Sequence, residues 1–252
     1  MIDFDKYVRI HIVDTETVGL KPFDHGGGVC EISVREVCPN TCNTTQELYG
    51  LINPEGPISP SASGVHGITD AKVANCPDLI TWLIDNGDPW HQDQEPVIFV
   101  AYNAPFDFKF LKQYIECDVV VSDILAVAKR VYTKEDYPEL ENHKMQTLRF
   151  FLRLDEEVSD EPFDAHSASG DTQTLVRLMK RIMKDTDMTL QELLIEGTKK
   201  EAITKMPFGK YAGKTFPEIW KLNKGYLPWV LANLDLTDDL RQAIRKGIGM
   251  DE

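Results

Sequence analysis

Five consecutive apolar residues, Val97, Ile98, Phe99, Val100 and Ala101, follow Pro96 and lead into a helical pattern from about Phe106 to Ile115. A short run with no polar interruption reads as a strand buried on both faces. Further strand-like runs cover Val8 to Val13, Val29 to Val37 and Leu48 to Asn53. The flexible His25-Gly26-Gly27-Gly28 precedes the second, and Pro54 stops the third. Helical spacing recurs around Asp78 to Asn86, from Ser169 or Gly170 to Met183, and from Leu190 to Glu196. Strands followed by helices imply an α/β layer fold.

The 252 residues allow one large domain with a small appendage. Hydrophobic and charged fractions of 42% and 27% are those of a globular chain and exclude collagen-like or wholly disordered readings. No apolar stretch is long enough for a membrane helix, the N-terminus lacks a signal-sequence pattern, and five cysteines show no repeated spacing. A cytoplasmic protein with free thiols and no membrane partner is expected. The net charge of -14 argues at first against a nucleic-acid partner. Its distribution is uneven: residues 1–198 hold 17 Lys and Arg against 34 Asp and Glu, whereas residues 199–230 hold 7 against 2.

Three segments carry chemistry. In Ile12-Val13-Asp14-Thr15-Glu16 the two carboxylates are two apart on a strand, so they project from one face at its C-terminal end and need a cation. Alone, an Asp-x-Glu is more often an exposed turn. Asp107 follows the buried strand in Asn103-Ala104-Pro105-Phe106-Asp107, where the helix dipole explains an acid about as well as a metal does. His166-Ser167-Ala168-Ser169-Gly170-Asp171 puts a histidine in a loop and an aspartate in the first turn of a helix, which capping alone also explains.

In this order the three segments resemble the exonuclease motifs of the DnaQ-like, or DEDDh, 3′–5′ exonucleases, and Ser63-Gly64-Val65-His66-Gly67-Ile68-Thr69 resembles that family's His-x-Ile-Thr segment. The stretch Phe208-Gly209-Lys210-Tyr211-x-Gly213-Lys214, followed by Gly225-Tyr226-Leu227-x-Trp229, resembles the small C-terminal domain of its exonuclease X-type members. The resemblance implies a ribonuclease H-like mixed β-sheet flanked by helices over 1–185, a helical linker over 186–204, and a small α+β domain over 205–252. That last domain is expected to hold a hairpin at 208–216 and helices begun by Pro217 and Thr237. It implies two Mg²⁺ or Mn²⁺ ions, held by Asp14, Glu16, Asp107 and Asp171, with His166 as general base at an ordinary imidazole pKa near roughly 6.5. Thr15, Thr17, Gly19, Leu20, His66, Ile68, Asn103 and Phe106 are implied substrate contacts. The substrate that the resemblance implies is DNA at its 3′ end, single-stranded, with RNA open as an alternative and a non-catalytic nucleic-acid-binding scaffold as a rival. Lys210 and Lys214, among aromatics, suggest auxiliary nucleic-acid binding, against the reading that the rings only build a small core.

Two departures stand out: Tyr102 replaces a histidine common in relatives, and segments 39–45 and 133–143 are longer than a minimal member needs. Gly209 to Thr215 is one residue short of a phosphate-binding P-loop, and Cys38-x-x-x-Cys42 has no second ligand pair for zinc.

Overall fold

A computed structural model describes every residue except 1, 2, 5, 8, 24–26, 92, 157–166, 200–202, 235, 237 and 251–252. The described chain divides into two units, Met1–Lys199 and Lys200–Glu252.

The first unit is built on five strands, β1 (Arg9–Thr17), β2 (Val29–Val37), β3 (Thr44–Leu51), β4 (Val97–Ala101) and β5 (Val119–Asp123), in the order β3-β2-β1-β4-β5. β1 runs antiparallel to β2 and parallel to β4, so the sheet is mixed. Helices α1 (Pro60–His66), α2 (Asp70–Val73) and α3 (Leu79–Asp85) precede β4, and α4 (Ala104–Leu111) follows it. After β5 come α5 (Ile124–Val131), α6 (Met145–Phe151), α7 (Ala168–Thr186) and α8 (Leu190–Thr198).

Strand alternation sorts the core into two layers. Ile10, Ile12, Ile98 and Val100 pack under α5 to α8, with Leu175, Leu178, Met179 and Ile182 of α7. Val13, Val97, Phe99 and Ala101 face the other way, against Leu79, Trp82 and Leu83 of α3 and Phe110 and Leu111 of α4. β4 is buried at all five positions, which explains its unbroken apolar run. The parity that sends Ile10 and Ile12 toward α7 also sends Asp14 and Glu16 there.

Segments 39–45 and 133–143 are anchored. Cys42 is buried in the α7-side core, and Asn43 accepts a 2.7 Å hydrogen bond from Lys180 of α7. The Tyr102 hydroxyl donates to the carbonyl of His143, and His143 Nε2 lies 2.8 Å from the Tyr132 carbonyl, so Tyr102 ties down the second segment.

The expected linker over 186–204 is corrected. Its helix, α8, opens with a Thr189/Glu192 capping box and buries Leu190, Leu193 and Leu194 in the same core as α7. Gly197 is required by that packing, because a Cβ there would lie 2.0 Å from Ser122 Oγ of β5.

The second unit comprises α9 (Phe216–Leu222), α10 (Tyr226–Asn233) and α11 (Asp238–Gly247) around Met206, Phe216, Ile219, Leu227, Val230, Leu240 and Ile244. The expected hairpin shrinks to one antiparallel bridge, Lys205 with Thr215, around a 3-10 turn at Gly209–Tyr211. Glycines 209 and 213, both at positive φ, turn the chain at either end of residues 210–212.

Leu194→Ala should destabilise the chain by about 2–5 kcal/mol in denaturant unfolding, the cost of a cavity in a packed core. A loss below about 0.5 kcal/mol would restore α8 to linker status.

Candidate active site

β1 carries Asp14 and Glu16 past the apolar part of the strand to its C-terminal end, where the pairing with β2 shifts register between Glu16 and Thr17. Ser167 caps α7 by accepting from Gly170 N at 3.1 Å, which places Asp171 in the first turn. An acid there is favoured by the helix dipole. Asp14, Glu16 and Asp171 each offer a carboxylate oxygen, all within 4.8 Å of one another. Such a spacing fits a hard divalent cation bound by oxygen.

Asp107, expected as a fourth ligand, is 3% exposed on α4. Its Oδ1 accepts from Thr15 N at 3.0 Å and Thr15 Oγ1 at 2.8 Å, so one of its oxygens is fixed by β1. Burial pushes its carboxyl up from the ordinary range, against the pull of those two hydrogen bonds. Asp14 is pushed well up by burial and then by the charges of Asp107, Asp171, Glu16 and Glu31, and Glu16 is pushed up to about 8 by burial and by Asp171, Glu31 and Asp107. Like charges crowded out of water are what a bound cation relieves.

Two residues that the sequence reading missed complete the surroundings. Gln146 of α6 donates to Asp171 Oδ1 at 2.8 Å. Glu31, paired with Glu16 across β1 and β2, is 3% exposed. It accepts from Ala168 N at 2.8 Å and from the Tyr49 hydroxyl at 2.7 Å, tying the first residue of α7 to β2 and β3. A charge inside the apolar Val29-Cys30-Glu31-Ile32 was a readable signal for Glu31; Gln146 had none.

The expected substrate contacts divide. Leu20 is 81% exposed and Asn103 is exposed, in the left-handed region at φ 68°. Phe106 is half-buried, with Lys109 Nζ 4.1 Å from its ring centre and 2.6 Å from the Leu20 carbonyl. Thr15 and Thr17 are buried, and Thr17 Oγ1 donates to the Gly19 carbonyl at 2.8 Å. His66 is committed to the backbone: Nδ1 accepts from Ile68 N at 3.1 Å, so Nε2 carries the proton and faces the Thr17 carbonyl at 3.2 Å. Ile68 is buried and packs with Val18, Cys30, Ile58 and Val73. His166 lies outside the described residues.

Residues 11–179 match the exonuclease family model RNase_T, and residues 206–235 match the exodeoxyribonuclease X-like C-terminal model. Exodeoxyribonuclease 10 of Escherichia coli K12 is 28% identical over 243 residues, covering 94% of this chain and 97% of that protein. The DNA polymerase III epsilon subunit of Pasteurella multocida is 34% identical over 146 residues, covering 52% of this chain and 55% of that one. Among solved structures, exonuclease X in complex with 5′ overhanging duplex DNA superposes with a TM-score of 0.57 at 25% identity, over 75% of this chain and 99% of that one. The E. coli ExoI–ssDNA complex in its zinc-bound form has the same fold, with a TM-score of 0.57 at 14% identity, over 74% of this chain and 43% of that one.

A raised carboxyl pKa gives stability that is intact below the unfolded value, 4.5 for Glu16, and is lost as pH climbs through about 8. His11 and His66, whose pKa values burial lowers from 6.5, act with the opposite sign below that pH. In EDTA the melting temperature should therefore fall between pH 6.5 and 8, fall less in Glu16→Gln, and recover at pH 8 on adding Mg²⁺ or Mn²⁺. A wild-type melting temperature that is flat across this window and indifferent to the ions contradicts the geometry.

Proposed function

The chain belongs to the RNase_T exonuclease family, and from that premise we propose that it is a divalent-metal-dependent 3′–5′ exodeoxyribonuclease that releases nucleoside 5′-monophosphates from DNA 3′ ends. The observation that carries this reading is the convergence of Asp14, Glu16 and Asp171 from a strand end and a helix start, with Asp107 held beside them by Thr15. The near full-length similarity to Exodeoxyribonuclease 10, spanning both units, supports DNA over RNA. Five unpaired cysteines support a reducing cytoplasm as its compartment. Among the described residues no helix is long and apolar enough to cross a membrane.

In this proposal Asp14, Glu16, Asp107 and Asp171 would hold two divalent ions. Oxygen-only donors favour Mg²⁺ or Mn²⁺. When bound, two such ions supply a polarised phosphate, an activated water and a stabilised leaving oxygen. The chain's own part is placement. Thr15 fixes one Asp107 oxygen and Gln146 engages one oxygen of Asp171, so the carboxylates are oriented before substrate arrives. His166 is the proposed general base that takes the proton of the attacking water, a role carried by its place in the His-x-Ala-x-x-Asp segment. Leu20 and Phe106 offer apolar contact to the last nucleotides, which we take to be unpaired, and Asn103 offers polar contact.

With 5′-labelled DNA and RNA of one sequence, wild type in Mg²⁺ should shorten DNA from its 3′ end and EDTA should abolish this. Asp14→Ala should be slower by roughly a thousandfold or more, about 4 kcal/mol of lost transition-state stabilisation. Activity within about tenfold of wild type would contradict the site, and faster shortening of RNA would overturn the choice of DNA.

A further inference from the structure

We propose that the C-terminal unit carries a second, non-catalytic site for single-stranded DNA, an aromatic ridge of Tyr211, Tyr226 and Trp229 with Lys210 at its edge. The choice of DNA as ligand rests on the exonuclease reading; the site itself rests on residues that take no part in that chemistry.

A small unit needs apolar side chains for its core, so its aromatic residues are first suspected of core duty. The structure separates the two duties. Phe216 is buried in the core with Met206, Ile219, Leu227, Val230, Leu240 and Ile244. Tyr211 and Tyr226 only pack against that cluster from its margin. Trp229 remains 53% exposed and Phe208 38% exposed. Trp229 is thus a large apolar surface that the core of its own unit does not use.

The exposed rings continue the half-buried ones. Tyr211 and Tyr226 meet edge to face at 4.8 Å, and Trp229 lies 6.5 Å from Tyr226 at an interplanar angle of 31°. Lys210 Nζ sits 5.4 Å from the Tyr211 ring centre. Gly209, at φ +75°, lets the turn bearing Lys210 lie against this ridge, since a Cβ there would approach Tyr226 Oη to 2.8 Å.

Charge selects the ligand. Residues 205–234 hold five lysines and one acid, Glu218, whose carboxylate is taken up by the Thr215 cap. Residues 1–198, by contrast, hold twice as many acids as bases. A lysine-rich stretch with Lys210 set beside Tyr211 and an exposed Trp229 presents what an unpaired strand binds: ring faces for bases of any sequence and ammonium groups for phosphates. A duplex hides its base faces and would leave the rings unused.

The test uses the full chain carrying Asp14→Ala, so that DNA is bound and not consumed, with a fluorescein-labelled 20-residue oligothymidylate as probe. Adding Trp229→Ala should weaken binding about tenfold, and adding Lys210→Glu should make its salt dependence shallower by roughly 0.7 in log–log slope or more. The conservative Trp229→Phe should stay within about threefold of the parent while losing most of the tryptophan quenching that the oligonucleotide causes. That quenching assigns contact to the ring itself, since Trp82 and Trp90 are buried and Trp220 half-buried. The Phe variant therefore decides the matter even if the Ala variant folds poorly. Unchanged affinity and salt dependence, or equal quenching in the parent and Trp229→Phe, overturns the proposal. If wild type shortens labelled DNA but these variants bind normally, only the second site fails; if no DNA is shortened, the exonuclease reading fails first.

Discussion

Asp14, Glu16, Asp107 and Asp171 repel one another, and the fold holds them together regardless. Strand parity leaves no freedom at β1, since burying Ile10 and Ile12 under α7 aims Asp14 and Glu16 at the same place. The dipole and cap at the start of α7 favour Asp171 there, and Thr15 holds Asp107 beside them. Carboxyls raised by burial and by each other mark a site whose energy is satisfied by cations supplied from outside the chain.

The surroundings follow from that constraint. Farther along, α7 meets the sheet through Leu175, Leu178 and Met179, but its first turn meets β2 and β3 through polar groups. Ser33 and Arg35 reach Thr172, both at 2.9 Å, Ser169 donates to Glu47 at 2.6 Å, and Glu31 holds Ala168. An apolar contact would be indifferent to small slides of the helix. Directional hydrogen bonds fix the turn that carries Asp171.

Much of this was legible in the sequence, for reasons that differ by element. The unbroken apolar run of β4 announced a two-sided core, and the spacing of Asp14 and Glu16 announced a shared face. Motif order then joined Asp107 and Asp171 to them, a connection that periodicity could not make. β5 and α5 escaped notice because Val119 to Val131 is a continuous apolar-rich stretch in which only the Asp123 cap marks the change of element. α8 passed for a linker because a short amphipathic helix looks alike in either role; Gly197 against Ser122 reveals its place only in three dimensions. The role of Gln146 depends on a partner 25 residues away in the chain, for which one sequence offers no sign.

The central claim is that the crowded carboxyls form a binding site for divalent cations. Calorimetric titration of the metal-free protein with Mn²⁺ at pH 7, repeated in buffers of different ionisation enthalpy, measures binding and proton release together. Because Glu16, Asp14 and Asp107 are all raised, the account predicts that Mn²⁺ binds and expels protons as it does so, and that Glu16→Gln expels fewer. Binding with no proton release, or no binding at millimolar Mn²⁺ by folded protein, would contradict it.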